Sequence, residues 1–254
     1  MGNDRTGNTD RLEGRNSVLE ALRSGREINK LWVLDQGKPD ARLSEIISEA
    51  RKRKIVMVTA SRAALDKMST THNHQGVIAA CASHEYADLD TVLSKCAEEG
   101  RAPFIVVLDE LKDAYNLGSV LRISDAAGVD AVIIPKHRSI GLDSAVAKAS
   151  AGAIEYVPVV RVTNIASTLR DLKKNNGFWV MGTAAEGTTP YDGADYKGAI
   201  AIVIGSEGEG IREHVRKECD FLLSIAMKGK VNSLNAAVAA GIVIFEAAKR
   251  REDA

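Results

Sequence analysis

From Glu13 onward the chain alternates short apolar runs with segments of helical period. The pattern predicts a helix over 16–23, a strand over 31–34 and an amphipathic helix over 41–52, with Leu43, Ile46, Ile47 and Ala50 on one face. A strand over 55–58, a short helix over 62–68 and a strand over 77–80 complete a small α/β unit ending near Cys81. The following polar stretch has no period and reads as a linker. Beyond it, strands are predicted at 104–108, 131–134, 178–182, 200–204 and 221–223, with helices at 117–127, 144–149, 165–174, 211–216 and 233–249. Alternation at this spacing predicts a parallel sheet covered on both faces. Residues 1–11, rich in Gly, Asn, Asp and Arg, read as a disordered tail. The expected organisation is a tail over 1–11, a module over 12–82, a linker over 83–89 and a larger α/β domain over 90–254.

Composition changes this picture little. Of 254 residues, 45% are hydrophobic and only 4% aromatic, which suits a core of Ala, Val, Ile and Leu between parallel strands and helices. Trp32 and Trp179 fall in predicted strands and are expected in the core. Lys plus Arg equals Asp plus Glu, at 34 each, so any polyanion must be held by local patches. One such patch is the basic run Arg51-Lys52-Arg53-Lys54, either a solvated helix end or a phosphate contact. Cys81, Cys96 and Cys219 are odd in number and widely spaced, which points to free thiols and a cytoplasmic setting rather than a disulfide framework or zinc cluster. His72 and His74 lack a third ligand nearby and read as a polar loop, so no metal is expected. The start of the chain lacks an apolar leader segment, and no apolar run is long enough to span a bilayer, so no membrane role is expected.

Ligands of open α/β sheets settle outside the carboxyl ends of the strands, so the loops that follow strands carry the most information. Three stand out. The first, 108–122, ends a strand and places Asn116 where a helix N-cap would fall, with Arg122 further along the helix. The second, Gly205-Ser206-Glu207-Gly208-Glu209-Gly210, joins an apolar strand to a helix through glycines that let backbone approach a ligand. It comes too late in the chain, and with the wrong spacing, for a dinucleotide fingerprint. The third, 225–236, sets both Ser233 and Asn235 at the mouth of an otherwise apolar helix, and capping accounts for only one of them. That helix has no charge from Val231 to Phe245. A helix apolar all round must be buried all round, which predicts a homodimer with this helix at the interface.

Together the three stretches resemble the signature motifs of SpoU-type RNA 2′-O-ribose methyltransferases, in the SPOUT superfamily. Asp113-Ala114-Tyr115-Asn116-Leu117-Gly118-Ser119-Val120-Leu121-Arg122 is similar to the first motif, and Gly205 to Gly210 to the second. Ile225-Ala226-Met227-Lys228-Gly229-Lys230-Val231-Asn232-Ser233-Leu234-Asn235 is similar to the third. Ala114 and Ala226 stand where the family usually has proline, which implies some loss of loop rigidity with the polar residues intact. Glu13-Gly14-Arg15-Asn16, His74 to Val77 and Lys148 to Ala153 resemble the subgroup that methylates a guanosine 2′-hydroxyl of 23S ribosomal RNA.

The resemblance implies a small N-terminal α/β RNA-binding module and a larger parallel-sheet methyltransferase domain with a C-terminal trefoil knot. It implies S-adenosyl-L-methionine as methyl donor, held around Thr183, Gly205, Ile225 and Leu234, and a reacting centre of Asn116, Arg122, Glu207, Ser233 and Asn235. A guanidinium does not release its proton in ordinary protein settings (pKa above ~12), so Arg122 is read as orienting the ribose or a phosphate. Three other readings stay open: a tRNA ribose methyltransferase, a non-catalytic RNA-binding or ribosome-assembly protein on the same scaffold, and a nucleotide-dependent oxidoreductase. The last lacks an early glycine fingerprint.

Overall fold

The computed structural model describes residues 9–35, 40–82, 84–230 and 233–252. Among these the elements are β1 (Thr9–Glu13), α1 (Arg15–Arg23), β2 (Ile28–Leu34), α2 (Ala41–Lys52), β3 (Val56–Ala60), α3 (Arg62–Met68) and β4 (Val77–Ala82). They continue with α4 (Leu89–Glu98), β5 (Phe104–Leu108), α5 (Ala114–Ala126), β6 (Ala131–Pro135), α6 (Ser144–Ala149), β7 (Val159–Val162) and α7 (Ile165–Asn176). The last are β8 (Trp179–Thr183), β9 (Thr189–Pro190), β10 (Ile200–Ile204), α8 (Glu213–Arg216), β11 (Phe221–Ser224) and α9 (Ala236–Glu252). No helix among the described residues is long and apolar enough to cross a membrane.

The chain divides into two compact units. One holds the residues up to Glu85 together with Gly141–Tyr156; the other holds Tyr86–Ile140 and Val157 to the end. This differs from the continuous boundary expected near 82–89, and the reason lies in the polar groups of 141–156. Within the first unit, Ser17 Oγ donates to the carbonyl of Ala147 at 3.3 Å, and Lys148 Nζ donates to Thr71 Oγ1 at 2.6 Å. Glu155 is buried between Arg26 at 3.0 Å and His84 at 3.1 Å, so a charge that would be costly alone is paired.

The sheet of the first unit runs β1-β4-β2-β3, antiparallel except for the β2–β3 pair. Thr9 to Arg11, expected in a tail over 1–11, instead pair with β4; residues 1–8 lie outside the described residues. At the end of β1, Glu13 is fully buried. Its carboxylate accepts from Ser69 Oγ at 2.6 Å, from the N–H of Thr70 at 2.6 Å and of Thr71 at 3.2 Å, and from both threonine hydroxyls. His74 is buried as well: its Nδ1 accepts from Gly76 N–H at 2.9 Å, so its Nε2–H donates to Asp66 at 3.0 Å. Its role is to hold the loop.

The larger sheet runs β7-β6-β5-β10-β8-β11-β9, parallel throughout. Ile105, Val107, Ile133, Ala201, Val203 and Val180 face one side, against Val92 of α4, Leu169 and Leu172 of α7 and Val215 of α8. The alternate positions face the other side, where α5 and α9 pack together. Both faces are covered, which is why β5, β6 and β10 are unbroken apolar runs buried at every position. Trp179 departs from expectation. It starts β8, is 51% exposed and stacks at 5.6 Å on Phe221, which starts β11.

β11 lies between β8 and β9, although β8 and β9 precede it and are joined directly. The connection 184–188 therefore crosses β11. Gly187 makes that crossing possible: a Cβ there would stand 2.5 Å from the carbonyl oxygen of Leu222 and 2.7 Å from the carbonyl carbon of Leu223.

Candidate active site

The chain order of the large sheet reverses between β5 and β10. In open parallel sheets, the crevice at the carboxyl ends of the strands beside such a reversal is where ligands bind. Here the cavity, of about 530 Å³, opens next to that reversal, at the carboxyl ends of β10, β8 and β11. Thr183 at the end of β8, Gly205 after β10 and Ile225 after β11 line it, with Glu207, Ser233, Leu234 and Asn235. Three loops, those after β8, β10 and β11, thus converge. Apolar walls come from Ile204, Leu222, Leu223 and Ile225. Such a volume, walled by apolar side chains and convergent polar groups in similar measure, suits a small-molecule cofactor.

Asn116 does not line the cavity but is tied to it. Its Nδ2 donates to Glu207 Oε1 at 3.0 Å, and its Oδ1 accepts from Asn235 Nδ2 at 2.9 Å. Asn235 Nδ2 also donates to Glu207 Oε1, which closes a ring of three side chains. The same Asn235 caps α9, its Oδ1 accepting from Ala237 N–H at 3.0 Å and Val238 N–H at 3.2 Å. One side chain therefore fixes the helix start and the carboxylate together. The helix begins at Ala236 rather than at 233, which leaves Ser233 exposed at the cavity mouth.

Asn116 is not the N-cap of its helix. Asp113 takes that place, its side chain accepting from Tyr115 N–H at 2.9 Å. Asn116 sits inside the first turn, 6% exposed, its amide turned to Glu207 rather than spent on the cap. Arg122 is exposed on α5 and is not among the residues lining the cavity. Six positions along a helix turn a side chain about 120° away from Asn116, which separates the two. The expected centre is therefore divided: Asn116, Glu207, Ser233 and Asn235 gather at the cavity, and Arg122 does not join them.

Gly205 shows why the second loop is rich in glycine. A Cβ there would lie 2.1 Å from the carbonyl carbon of Gly210, because Ser206 and Gly210 exchange backbone hydrogen bonds at 3.1 and 3.0 Å. Thr183, expected beside a cofactor, lines the cavity while its hydroxyl donates to the carbonyl of Val203 at 3.2 Å. Sequence reasoning missed the ion pair of Glu186 with Arg216, both at the cavity. It passed over Asp109 and Arg212 too, which join the loops after β5 and β10. A carboxylate placed directly after an unbroken apolar strand was the available signal for Asp109.

Residues 103–245 match the SpoU rRNA Methylase family, and residues 11–87 match the substrate-binding module of RNA 2′-O ribose methyltransferases. The chain is 44% identical over 242 residues to YacO of Bacillus subtilis (strain 168), assigned to the TrmH family of tRNA/rRNA methyltransferases, with 95% of this chain and 96% of that protein covered. A Staphylococcus aureus (strain MSSA476) protein with the same assignment is 47% identical over the same shares. The fold is that of the SpoU methyltransferase AviRb of Streptomyces viridochromogenes, solved with AdoMet, at a TM-score of 0.81 and 24% identity, over 98% of this chain and 94% of that one. A Sinorhizobium meliloti rRNA methyltransferase aligns at a TM-score of 0.78 and 23% identity, over 95% and 87%. With the family matched over most of its length and both modules in order, the chain belongs to the SpoU rRNA methylase family of RNA 2′-O-ribose methyltransferases.

Proposed function

We propose that this protein transfers a methyl group from S-adenosyl-L-methionine to the 2′-hydroxyl of a guanosine in 23S ribosomal RNA, in the cytoplasm. The observation that carries the reading is the single cavity onto which Thr183, Gly205, Glu207, Ile225, Ser233, Leu234 and Asn235 converge. Its residues fit the cofactor: Ile225 and Leu234 offer apolar contact, Gly205 lets the loop fold back on itself at the cavity wall, and Glu207 brings a carboxylate suited to a cationic donor. When bound, S-adenosyl-L-methionine supplies the activated methyl group.

The chain's own residues then position the nucleophile. A ribose hydroxyl must approach the methyl in line, so geometry supplies much of the rate. Glu207 spends Oε1 on the amides of Asn116 and Asn235 and has a second oxygen to offer a substrate hydroxyl. Ser233, exposed at the mouth, can donate to the ribose. Arg122 lies outside the cavity lining and acts on the RNA beside the reacting ribose, orienting a phosphate. Arg122→Ala should abolish turnover and leave donor affinity nearly unchanged; full activity in Arg122→Lys would remove the role of the fork.

The matched substrate-binding module supports RNA binding by the first unit, where Arg51 to Lys54 are all exposed and form a candidate phosphate contact. Replacing them with glutamine should flatten the salt dependence of RNA binding. The crossing of 184–188 over β11 supports a trefoil knot. Homodimerisation is supported by α9, which leaves Val238 and Phe245, seven residues apart on one face, 51% and 50% exposed. Sedimentation as a monomer at micromolar concentration would remove that part. The experiment that tests the whole is incubation with labelled methyl donor and total RNA, then fractionation. Label in large-subunit ribosomal RNA supports the reading, label in tRNA replaces its substrate, and absence of label defeats it. The tRNA alternative draws on the relatives' shared tRNA/rRNA assignment.

A further inference from the structure

We propose that Arg212, acting through the buried carboxylate of Asp109, is a positioning residue that fixes the cofactor-binding loop Gly205–Gly210 and thereby Glu207; the proposal rests on the reading above. Asp109 directly follows β5 and is wholly buried. Its own N–H donates to the carbonyl of Ile204, the last residue of β10, at 2.8 Å. Its Oδ2 accepts from the backbone N–H of Arg212 at 2.9 Å. One residue thus holds both ends of the loop that carries Glu207. Within the loop, the paired hydrogen bonds between Ser206 and Gly210 leave it little freedom once its ends are fixed.

The guanidinium of Arg212 is what allows Asp109 to be buried there. Nε and Nη2 donate to Asp109 Oδ1 at 2.9 and 2.5 Å, a fork that a lysine cannot reproduce. Nη1 reaches Glu110 Oε1 at 2.6 Å. Glu110 holds φ at 62°, a backbone that a residue with a side chain seldom adopts, and that turn leads toward Asp113, the cap of α5. Arg212 therefore joins the loop bearing Glu207 to the loop leading into the helix that bears Asn116. These are two of the three side chains whose hydrogen bonds form the polar wall of the site. The hydrogen bonds that Arg212 donates to Asp109 raise its pKa beyond the usual value, despite the opposing effect of burial, so the charge is constant.

The test compares the full chain with Arg212→Met and Arg212→Lys. Three quantities are measured: the unfolding midpoint, S-adenosyl-L-methionine affinity by equilibrium dialysis, and single-turnover methyl transfer at saturating donor on whichever RNA fraction the unmodified chain methylates. Folded Arg212→Met should bind donor about fivefold more weakly and transfer at least about tenfold more slowly, because misplacing groups in a preorganised site costs rate at saturation. Arg212→Lys should fall between. A merely structural role would lower the midpoint alone, so wild-type affinity and rate in folded Arg212→Met would overturn the proposal. If that variant does not fold, Arg212→Lys decides: wild-type affinity and rate there overturn it, and losses of about threefold or more support it. If the unmodified chain methylates no RNA, the parent function falls, and donor dialysis still decides the clamp.

Discussion

Glu13 and Glu207 are both glutamates held by neighbouring polar side chains, and the molecule treats them in opposite ways. Glu13, in the first unit, is fully buried and takes five donors from Ser69, Thr70 and Thr71. Its acceptor capacity is consumed, and the result is a fixed loop. Glu207, in the second unit, is exposed at the cavity and takes two amide donors on one oxygen. Its neighbours orient it without saturating it. A carboxylate surrounded by donors reports on structure when its capacity is exhausted. It reports on chemistry when some capacity is left facing a cavity.

The same substitution at both positions should separate these roles. Glu207→Gln keeps the shape and an acceptor oxygen but removes the charge. Single-turnover transfer should fall by roughly 10²–10³-fold, about 3–4 kcal/mol of barrier, while stability to urea moves by less than about 0.5 kcal/mol. Glu13→Gln should do the reverse. It brings one acceptor oxygen and two N–H groups to a site where five donors converge, so unfolding should become easier by about 2–3 kcal/mol with donor affinity unchanged. If both variants lose stability equally, the contrast fails.

Acid sharpens the comparison further. Burial alone would raise the pKa of Glu13; the hydrogen bonds from Ser69, Thr71 and Thr70 outweigh it and bring the group down to about 2. A carboxylate depressed in the folded state contributes stability that is fully present above its unfolded pKa of about 4.3 and is lost as pH falls from there through 2, about 3 kcal/mol. Urea midpoints measured across that window should fall for the native chain and less steeply for Glu13→Gln. The smallest expected effect is at Ala114, the first residue of α5. Asp113 before it has φ −94° and ψ 127°, the extended backbone that a following proline favours. Ala114→Pro should raise stability by about 0.4–1 kcal/mol without slowing transfer; a loss would mean that the first turn beside Asn116 needs freedom.

Periodicity made the large sheet legible where both faces of a strand are buried. The runs 104–108 and 200–204 are observed with those bounds because every position is apolar. It failed where strands are polar, short or edge-forming. β1 reads Thr-Asp-Arg-Leu-Glu, and β9 holds only Thr189 and Pro190. Both are strands by virtue of partners distant in sequence. α4 follows the linker, in a stretch for which the pattern predicted no element, its apolar face resting on a few residues such as Val92 and Cys96. Trp179 was placed in the core by its type, yet the first position of β8 faces outward. At the site, the glycines and polar residues of the three loops could be read locally. That Asn116 is a partner of Glu207 rather than a cap could not be, since position 113 and position 116 both offer capping side chains. The position of Asp109 after an apolar strand could be read locally, but its pairing with Arg212, 103 residues further along, could not.

The placement of β11 also governs how the sheet can be assembled. A sheet that grows outward by adding each new strand to its edge would end with its last strand outermost. Among the described residues the last strand is interior, and the outermost, β9, pairs with β11 alone. A nascent chain that stops before Phe221 therefore has β8 as an open, apolar edge and β9 with nothing to pair with, a template for association with other chains. Insertion of Phe221–Ser224 is what closes that edge, so the opening lasts from the emergence of β8 until β11 is in place.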